Sequence, residues 1–419
     1  MDNPARITLI QRMNCDADII VTGGGLNGTT LAVALGSAGF KVTIIDALPT
    51  STRSQEEFDG RGYALSISSQ RVLKALGIWP TIRDQSQPIL DILVTDGRAG
   101  EGPSPLHLAF DHNEIEEGPM GYMVEDRHLR PALLNTVELA SIQQINGCQV
   151  IDQQPDLAGV SVDLSNGQRL RAQLLIGCDG KNSGVASRAK IARSGWSYDQ
   201  TALVCAIAHE EPHGGKAHQF FMPPGPLAIL PLRENRSSIV WTESSAQATA
   251  IQSMNDDEYL QVLRPRFGDF LGNIDLAGKR FAYPLSLSLA QSFVADRVAL
   301  VGDAAHSVHP IAGQGLNAGL KDVAALAEVL TDARRRGEDI GSSQVLSRYS
   351  QWRRFDTATL ALATDGFNRL FSNDNGILRL ARDLGLGAVN ALPGLRRRLI
   401  REAAGLTGDL PRLARGRAL

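Results

Sequence analysis

The stretch that decides the fold runs from Arg297 to Leu320 and reads RVALVGDAAHSVHPIAGQGLNAGL. Its apolar start, Val298 to Val301, predicts a short buried strand that ends at Gly302-Asp303, where glycine allows a sharp turn. A glycine-lined loop from His306 to Gly315 then leads into an apolar helix. The start of such a helix offers backbone N–H groups and the positive end of the helix dipole. This arrangement favours a ligand that carries negative charge.

A second glycine motif lies near the start of the chain. Asp18 to Val21 predicts a strand, and GGGLNG follows directly at 23–28 with the spacing G-x-G-x-x-G. A helical pattern and a second strand come next, and that strand ends at Asp46, about 18 residues past the last glycine. This order predicts a dinucleotide-binding unit, and the acid at its end favours FAD or NAD over NADP. In such a unit Gly23 makes the turn, Gly25 lets the pyrophosphate approach closely, Gly28 allows the helix to pack and Asp46 accepts from the ribose hydroxyls.

The bulk composition describes a folded α/β protein. Hydrophobic residues make up 43% of the 419 residues and charged residues 21%, which excludes a disordered or fibrous chain. The length exceeds that of one typical core, so two or three packed units are expected. A net charge of -3 gives no support for nucleic-acid binding, and four scattered cysteines indicate neither a zinc site nor a disulfide framework. We expect a protein of a reducing compartment, without a membrane span or a secretory signal.

Outside the two glycine motifs, the sequence pattern predicts strands in some segments and helices in others. Segments 84–111 and 197–241 carry strand patterns broken by Gly and Pro, whereas the chain beyond Gly341 has helical patterns. The stretch FFMPPGPLAILPL at 220–232 fits either a sheet edge with rigid turns or the wall of an apolar pocket. The predicted domains are an N-terminal extension at 1–17, a discontinuous dinucleotide-binding domain at 18–83, 118–190 and 282–345, a β-sheet substrate domain at 84–117 and 191–281, and a helical region at 346–419.

Several charged or ligating residues admit an ordinary structural interpretation. Arg61 lies in the stretch that precedes a predicted helix at Ser69 to Leu76, and Arg127 stands just before another. An isolated arginine is best interpreted as a solvated surface charge. His306 and His309 lie three residues apart in a loop without a third ligand, which argues against a metal site. We therefore expect no metal and a structural role for His306.

The carboxyl-terminal part of the chain is basic. From Gly376 onward it holds nine arginines against three acids, with leucines between them. A basic amphipathic tail can lie on an anionic membrane or dock a partner protein. A solvated helix face that covers the core fits the same pattern, so both interpretations stay open.

Three motifs in this order, GGGLNG, CDG at 178–180 and GDAAHSVHPIAGQGLN, resemble those of the flavoprotein aromatic hydroxylases typified by p-hydroxybenzoate hydroxylase. Four longer stretches look like the ubiquinone-biosynthesis hydroxylases within that group. They are RGYALSISSQRVLKALGIW at 61–79, FMPPGPLAILPL at 221–232, VGDAAHSVHPIAGQGLNAGLKDVAALAEVL at 301–330 and TDGFNRLFSNDNGILRLARDLGL at 364–386. The resemblance covers most of Asp18 to Arg412.

The resemblance implies a fold and a reaction. The fold would be α/β, a Rossmann-like FAD-binding domain with an inserted, mostly antiparallel β-sheet substrate domain and a C-terminal helical segment. The protein would be an FAD-dependent monooxygenase with NAD(P)H as electron donor. It would insert one atom of O2 into the ring of a polyprenylated phenol through a flavin C4a-hydroperoxide. Such a protein would be cytoplasmic or peripheral on the inner membrane, held there or in a biosynthetic complex through the basic C-terminal region.

The resemblance also implies the site residues. The cofactor-binding set would be Gly23, Gly25, Gly28, Asp46, Arg61, Arg127, Asp179, Asp303, Gly313, Gln314, Gly315, Leu316 and Asn317. Pro310 would flank the flavin ring and, with Gly313, Gly315 and Asn317, form the catalytic set. The substrate pocket would be lined by Phe221, Pro226, Leu227, Ala228 and Leu230. One departure concerns the donor: the family's DG motif usually continues N-S-x-x-R, whereas Gly184, Val185 and Ala186 follow Asn182-Ser183 here.

Two alternatives remain beside the hydroxylase. The first is a flavin oxidoreductase of the same fold that acts on another lipid or aromatic compound, as an epoxidase or a prenyl reductase. The second is a non-catalytic flavin-binding scaffold in a biosynthetic complex. A disulfide reductase is disfavoured because the chain has one full dinucleotide fingerprint and no redox C-x-x-C.

Overall fold

The computed structural model describes residues 15–53, 57–100, 102–308, 313–371, 385 and 387–419. The strands are β1 (Ala17–Thr22), β2 (Val42–Asp46), β3 (Gly62–Ser66), β4 (Gln87–Ile89), β5 (Asp91–Arg98), β6 (Gly102–Asp111), β7 (Gly121–Glu125), β8 (Gln143–Asn146), β9 (Val150–Pro155), β10 (Val160–Leu164), β11 (Arg169–Gly177), β12 (Arg193–His209), β13 (Lys216–Met222), β14 (Gly225–Leu232), β15 (Arg236–Ser244), β16 (Ile274–Leu276), β17 (Phe281–Ala290), β18 (Val294–Ala295), β19 (Val298–Leu300) and β20 (His306–Ser307). The helices are α1 (Leu26–Ser37), α2 (Thr50–Arg53), α3 (Ile67–Ala75), α4 (Trp79–Ile82), α5 (Asp126–Leu139), α6 (Gly184–Arg188), α7 (Ser245–Gln252), α8 (Asp256–Phe267), α9 (Gln314–Arg335), α10 (Ser343–Phe371) and α11 (Pro393–Ala403).

An eight-stranded sheet carries the two glycine motifs. Its strands lie in the order β18-β19-β11-β1-β2-β8, and β10 and β9 continue from β11. The central pairs, β1 with β2 and β1 with β11, are parallel, with Ile20 opposite both Thr43 and Leu175. Strand β2 is buried along its whole length, as expected for a parallel strand covered on both faces. Because β1 and β19 run in parallel, the loops that follow them open at the same edge of the sheet.

A nine-stranded sheet lies beside the first. Its order is β20-β17-β12-β15-β14-β13-β5-β6, with β16 paired to β12, and its pairs are antiparallel except for β5 with β13. The outer face, as we call the one that includes Trp241, packs against Tyr259 and Phe267 of α8. The inner face, which includes Ala217 and Leu232, packs against Met123 of β7. Successive side chains of each strand alternate between these two faces.

A three-stranded sheet, β3-β7-β4, connects the two larger sheets. Ala64 of β3 belongs to the same apolar cluster as Leu230 of the inner face. The side of β3 nearer α9 contacts Asn317 through Ser66. Strand β3 therefore brings the start of α9 close to the inner face.

The carboxyl-terminal segment lies over the middle of the molecule. Ile400 of α11 packs with Ile67 and Met120 in a small buried cluster. Arg396 makes an ion pair of 2.8 Å with Glu114, on the connection between β6 and β7. Within the described part of the chain, no helix combines the length and apolarity needed to cross a bilayer.

The nine-stranded sheet extends beyond the segments assigned to it from sequence. Strand β17 pairs with β12 over Phe281 to Ala290, and β20 pairs with β17, although the sequence pattern places 282–345 in the dinucleotide-binding domain. The chain enters the eight-stranded sheet only at β18 and β19, after β17 has paired with β12. The sequence prediction also missed α7 and α8, which cover the outer face.

Candidate functional site

The first glycine motif makes a turn that only glycine can make. Gly23 has a φ of +100°, and a Cβ atom there would lie 2.3 Å from the carbonyl oxygen of Cys178. A Cβ atom on Gly28 would lie 1.9 Å from the carbonyl oxygen of Gly23. Both contacts are far inside van der Waals range, so the two glycines allow α1 to start directly against the ends of β1 and β11.

Asp46 holds this turn in place from the end of β2. Its carboxylate accepts hydrogen bonds from the backbone N–H of Gly24, at 2.5 Å, and of Leu48, at 2.7 Å. A carboxylate can accept more than two hydrogen bonds, so these contacts leave room for the ribose contact expected from the sequence. The acid thus positions the glycine loop at the edge of the parallel sheet.

Two helices begin at this edge without a capping side chain. Gly25 precedes α1 and Gly313 precedes α9, and neither helix start has a side-chain cap. By contrast α3, α6 and α8 are capped by Ser66, Ser183 and Asn255. A Cβ atom on Gly25 or on Gly315 would meet no atom of the described residues within 4 Å. Both helix starts therefore direct backbone N–H groups and the positive ends of their dipoles towards this edge of the sheet.

Asn27 joins the two helix starts into one cleft. A Cβ atom on Gly302 would lie 2.4 Å from the Asn27 Nδ2 atom, and one on Gly319 would lie 2.2 Å from it. The two glycines therefore let α1 approach both the turn at Gly302-Asp303 (the GD turn) and α9. The buried Oδ1 atom of Asn27 has no hydrogen-bonding partner among the described residues. Such an orphaned acceptor beside two open helix starts fits a bound polar ligand that spans them.

The Asn317 side chain anchors the start of α9 to β3. Its Oδ1 atom accepts from the backbone N–H of Ser66 at 2.9 Å and from the Ser69 hydroxyl at 2.7 Å. Its Nδ2 atom donates to the carbonyl oxygens of Ala64, at 2.9 Å, and Gly313, at 3.2 Å. These four bonds use the capacity of the amide. Asn317 therefore contributes by fixing the helix start, and only its backbone is left for a ligand.

Asp303 lies between the two helix starts at the GD turn. Asp303 is exposed as a residue, yet enough protein surrounds its carboxylate for desolvation to raise its pKa, against the opposing effect of His306 and Arg193. Arg193 donates to the carbonyl oxygens of Asp303, at 3.2 Å, and of Ala304. It also donates to the Ser288 hydroxyl at 2.8 Å. Sequence reasoning missed Arg193, because nothing near position 193 indicates that it clamps a turn 110 residues away.

A buried carboxylate supports this turn from behind. Asp322 of α9 accepts from the backbone N–H of Gly302 at 2.9 Å and pairs with the His306 Nε2 atom at 2.6 Å. Arg353 of α10 donates to its other oxygen at 2.8 Å. His306 is thus buried and has the structural role expected from the sequence. His309, its neighbour in the sequence, lies outside the described residues, as does Pro310.

The two predicted cofactor arginines are held in ion pairs. Arg61 pairs with Asp59 at 2.7 Å and with Asp126 at 3.3 Å. Arg127 donates to Glu125 at 2.7 Å, and its guanidinium lies over the Phe58 ring. Both arginines flank the amino-terminal end of β3, whose Ala64 would be 3.2 Å from a Cβ atom on Gly313. Each is thus a fixed charge near the cleft and not an isolated surface arginine.

Asp179 of the CDG motif caps a helix. Its carboxylate accepts from the Ser183 hydroxyl at 2.5 Å and from the backbone N–H of Val185 at 3.1 Å. Its backbone lies beside the Gly23 turn. Arg188, at the end of α6, donates to Gln153 at 3.3 Å. The segment that departs from the family's N-S-x-x-R pattern therefore forms a capped helix behind the first glycine turn.

The predicted pocket residues fall on two faces of the nine-stranded sheet. Phe221 lies opposite Pro226, and the alternate residues Ala228 and Leu230 share that inner face. Leu227 lies opposite Phe220 on the outer face, where it is buried against Trp241. Leu227 stays a predicted pocket residue, but side chains alternate along a strand, so it faces away from the other four.

The open part of the inner face was missed from sequence. Val204 of β12 lies opposite Val240 of β15 on one side and Phe281 of β17 on the other. Each of the three is only partly buried. Tyr283 stacks on Phe281 and is 45% exposed. Alternation within β12 and β15 could have grouped the two valines, but the pairing with β17 depends on contacts that no local pattern predicts.

Comparisons with known proteins agree with this geometry. The family described as FAD binding domain matches residues 16–361. The chain is 44% identical over 404 residues to the ubiquinone hydroxylase UbiL of Rhodospirillum rubrum, covering 96% of this chain and 93% of that protein. It is 35% identical over 400 residues to the 3-demethoxyubiquinol 3-hydroxylase of Escherichia coli, covering 94% of this chain and all of that protein (100%).

A solved structure supports the fold. The p-nitrophenol 4-monooxygenase PnpA of Pseudomonas putida superposes with a TM-score of 0.77 at 20% identity, covering 93% of this chain and 98% of that one. At this identity the similarity concerns the fold alone. The predicted α/β class with an inserted antiparallel sheet is confirmed.

We expect the Asp322 carboxylate to stabilise the protein strongly. Replacing Asp322 with Asn leaves the Arg353 charge buried without its main partner, so the free energy of unfolding in urea should fall by about 3 to 5 kcal/mol. The matched control is Asp356→Asn, which removes the other ion pair of Arg353 at a carboxylate that is 41% exposed, and should cost less than about 1 kcal/mol. Equal, small losses in the two variants would contradict the role given to Asp322.

Proposed function

This chain belongs to the FAD binding domain family and to its ubiquinone-biosynthesis hydroxylases, and from that premise we propose how its residues serve the reaction. The protein is an FAD-dependent hydroxylase of ubiquinone biosynthesis. The observation that carries the proposal is the single cleft in which Asn27 joins the open starts of α1 and α9. The cleft has backbone donors at both ends and an acidic side chain between them.

We assign one part of FAD to each section of the cleft. The ADP end would lie on the turn formed by Gly23, Gly25, Gly28 and Asp46, with Asp179 behind it. Asp303 would accept hydrogen bonds from the ribityl hydroxyls. The backbone of Gly313, Gln314, Gly315, Leu316 and Asn317 would donate to the pyrimidine edge of the flavin, while Arg61 and Arg127 would supply fixed charge nearby. Pro310 as a neighbour of the ring stays a prediction.

Bound FAD, once reduced, supplies the activation of O2 and the transfer of one oxygen atom to an electron-rich ring. The start of α9 would stabilise negative charge at the pyrimidine edge through its backbone N–H groups and its dipole. Asn317 fixes that helix start through four hydrogen bonds, so little reorganisation is needed when charge develops. Arg193 likewise fixes the GD turn, because it donates hydrogen bonds both to the Asp303 carbonyl oxygen and to the Ser288 hydroxyl.

The substrate would be a polyprenylated phenol that lies along the inner face. Phe221, Pro226, Ala228 and Leu230 offer an apolar wall there, and partly exposed Val204, Val240 and Tyr283 extend it. Leu230 and Ala64 belong to one cluster, and Ala64 lies next to Gly313, so this wall reaches the start of α9. The phenol's own hydroxyl activates its ring, so the chain has only to position it and exclude water.

The electron donor would be NADH or NADPH. Lys181 beside Asp303 and Arg193 at the GD turn provide positive charge at the mouth of the cleft. Arg188 does not simply replace the arginine of the family's N-S-x-x-R motif, because its Nε atom donates a hydrogen bond to Gln153.

Turnover distinguishes the hydroxylase from its alternatives. FAD-loaded protein should oxidise NADH or NADPH faster when a polyprenylated phenol is added, and the phenol should gain one oxygen atom on its ring by mass spectrometry. A product reduced or epoxidised in its prenyl chain would identify the same-fold oxidoreductase instead. Bound FAD that neither nucleotide can reduce would identify the scaffold.

Gly25→Ala tests the placement of FAD without disturbing the fold. Gly25 has a φ of -70°, which alanine adopts readily, and an added Cβ atom would meet no atom of the described residues within 4 Å. We expect an unchanged melting temperature and at least a roughly tenfold loss of FAD affinity, since the methyl group occupies the place of the pyrophosphate. Gly394→Ala, at another open position, should leave FAD affinity unchanged. Unaltered FAD binding by Gly25→Ala would show that the pyrophosphate lies elsewhere.

A peripheral membrane contact through the basic tail is the proposed route to a lipid substrate. Leu392 and Leu395 are 55% and 41% exposed at the start of α11, and Arg397 and Arg398 are exposed beside them. Ile400, further along α11, is buried. The helix therefore presents apolar and basic side chains together, which suits an anionic bilayer surface.

Vesicle sedimentation tests this contact. The protein should bind vesicles rich in phosphatidylglycerol, bind phosphatidylcholine vesicles weakly, and be released by salt. Reversing Arg397 and Arg398 to Glu should weaken binding by about tenfold or more, at roughly 1 kcal/mol for each basic residue. The same reversal at the exposed pair Arg335 and Arg336 is the control. Equal binding by both double variants would rule out α11 as the contact.

A further inference from the structure

A cavity of about 840 Å³ lies on the outer face of the nine-stranded sheet. It opens between strands β5 and β13 and the turn that follows α8, and its lining includes Leu93, His218 and Phe270. Its size falls within the range of small-molecule pockets. Nothing in the proposed reaction uses it.

The cavity is separate from the proposed FAD cleft. Lys216, His218 and Phe220 line it, whereas Ala217, which lies between the first two, packs on the inner face. Because successive strand residues point to opposite faces, the whole thickness of the sheet lies between the cavity and the inner face. A ligand in one therefore cannot contact a ligand in the other.

Aromatic rings form one wall of the cavity. The Phe270 ring lies 4.5 Å from the His218 ring and 5.2 Å from the Phe267 ring, centroid to centroid, and is stacked on the latter. Phe270 is nevertheless 42% exposed, although most of its neighbours are buried. A phenylalanine held in an aromatic cluster with one open side can accept a further ring.

His218 adds an unsatisfied polar group to this wall. The residue is only 9% exposed, and no described residue hydrogen-bonds to its ring; its Nδ1 atom is buried without a partner. Burial lowers the pKa of His218 to about 4, and Lys216 acts in the same direction. The ring is therefore neutral near pH 7, when it can both stack with an aromatic ligand and hydrogen-bond to it.

The remaining lining carries an excess of positive charge. Arg98, Lys216, Arg264 and Arg266 line the cavity, against two acids, Asp91 and Asp269. Arg264 is held in place by the Ile274 carbonyl oxygen at 3.1 Å, and Arg266 by an ion pair of 3.1 Å with Glu243, which reduces the excess to one positive charge. Fixed guanidinium groups at a concave surface favour an anion, and they favour a planar carboxylate in particular.

From these features we infer that the outer-face cavity is a second binding site, which takes a small planar aromatic carboxylate. The ring would stack on Phe270 and His218, and the carboxylate would lie towards the arginines. Neutral prenyl chains suit this cavity poorly because its polar lining would lose water without a charged partner. The site is independent of the proposed reaction and stands whether or not the substrate is a polyprenylated phenol.

Calorimetric titration of the FAD-loaded protein with 2-naphthoate tests the inference. We expect saturable binding, with at least tenfold weaker binding of neutral 2-naphthamide and of the non-aromatic cyclohexanecarboxylate. Phe270→Ala should lower the affinity for 2-naphthoate by about tenfold, the usual effect of one aromatic contact, and Phe270→Trp should restore that affinity. Phe355→Ala, which removes another exposed phenylalanine (77%), is the matched control and should change nothing.

Measurements of FAD content and turnover distinguish a failure of this site from a failure of the proposed FAD cleft. Both alanine variants should keep the FAD content and NAD(P)H oxidation rate of the unaltered protein, because the cavity lies across the sheet from the proposed cleft. Equal 2-naphthoate affinity in Phe270→Ala and the unaltered protein would overturn the inference. So would the absence of binding at millimolar 2-naphthoate, or its displacement by the phenolic substrate.

Discussion

The buried carboxylate of Asp322 is the interaction on which the rest of the site depends. It binds the backbone N–H of Gly302, the His306 ring and the Arg353 guanidinium, and so ties the GD turn to α9 and α10. Burial alone would raise the pKa of Asp322, but His306 and Arg353 hold it below its usual value. A charge so far from water is tolerable only because these partners replace its hydration. The GD turn therefore has one position relative to the start of α9.

That fixed geometry lets two distant parts of the chain share a cofactor. Asn27 fits between Gly302 and Gly319 because neither glycine has a side chain, and α1 thereby packs closely on α9. Each helix starts at a glycine without a side-chain cap, so backbone donors are directed into the same cleft. An FAD molecule has charge at its pyrophosphate and, when reduced, at its flavin ring. The spacing of two helix starts along one cleft suits such a ligand.

Much of this arrangement could be predicted from sequence because it depends on local patterns. The order of strand, glycine loop, helix, strand and acid indicated the parallel sheet and both helix starts, and the family assignment is confirmed. The helix α8 could have been found as well, since Asn255 and Glu258 form a capping box. Asn27, Arg193 and Arg353 could not, because their partners lie far away in the chain. The sequence prediction grouped Leu227 with four residues of the other face, because it did not take strand alternation into account.

The central claim is that one FAD molecule contacts both glycine motifs at once. Hydrogen–deuterium exchange during an FAD titration measures this directly, because backbone amides at 23–30 and at 313–320 report on the two ends of the cleft separately. The account predicts that both segments become protected together, with the same midpoint in FAD concentration. Protection of one segment alone, or two different midpoints, would contradict it.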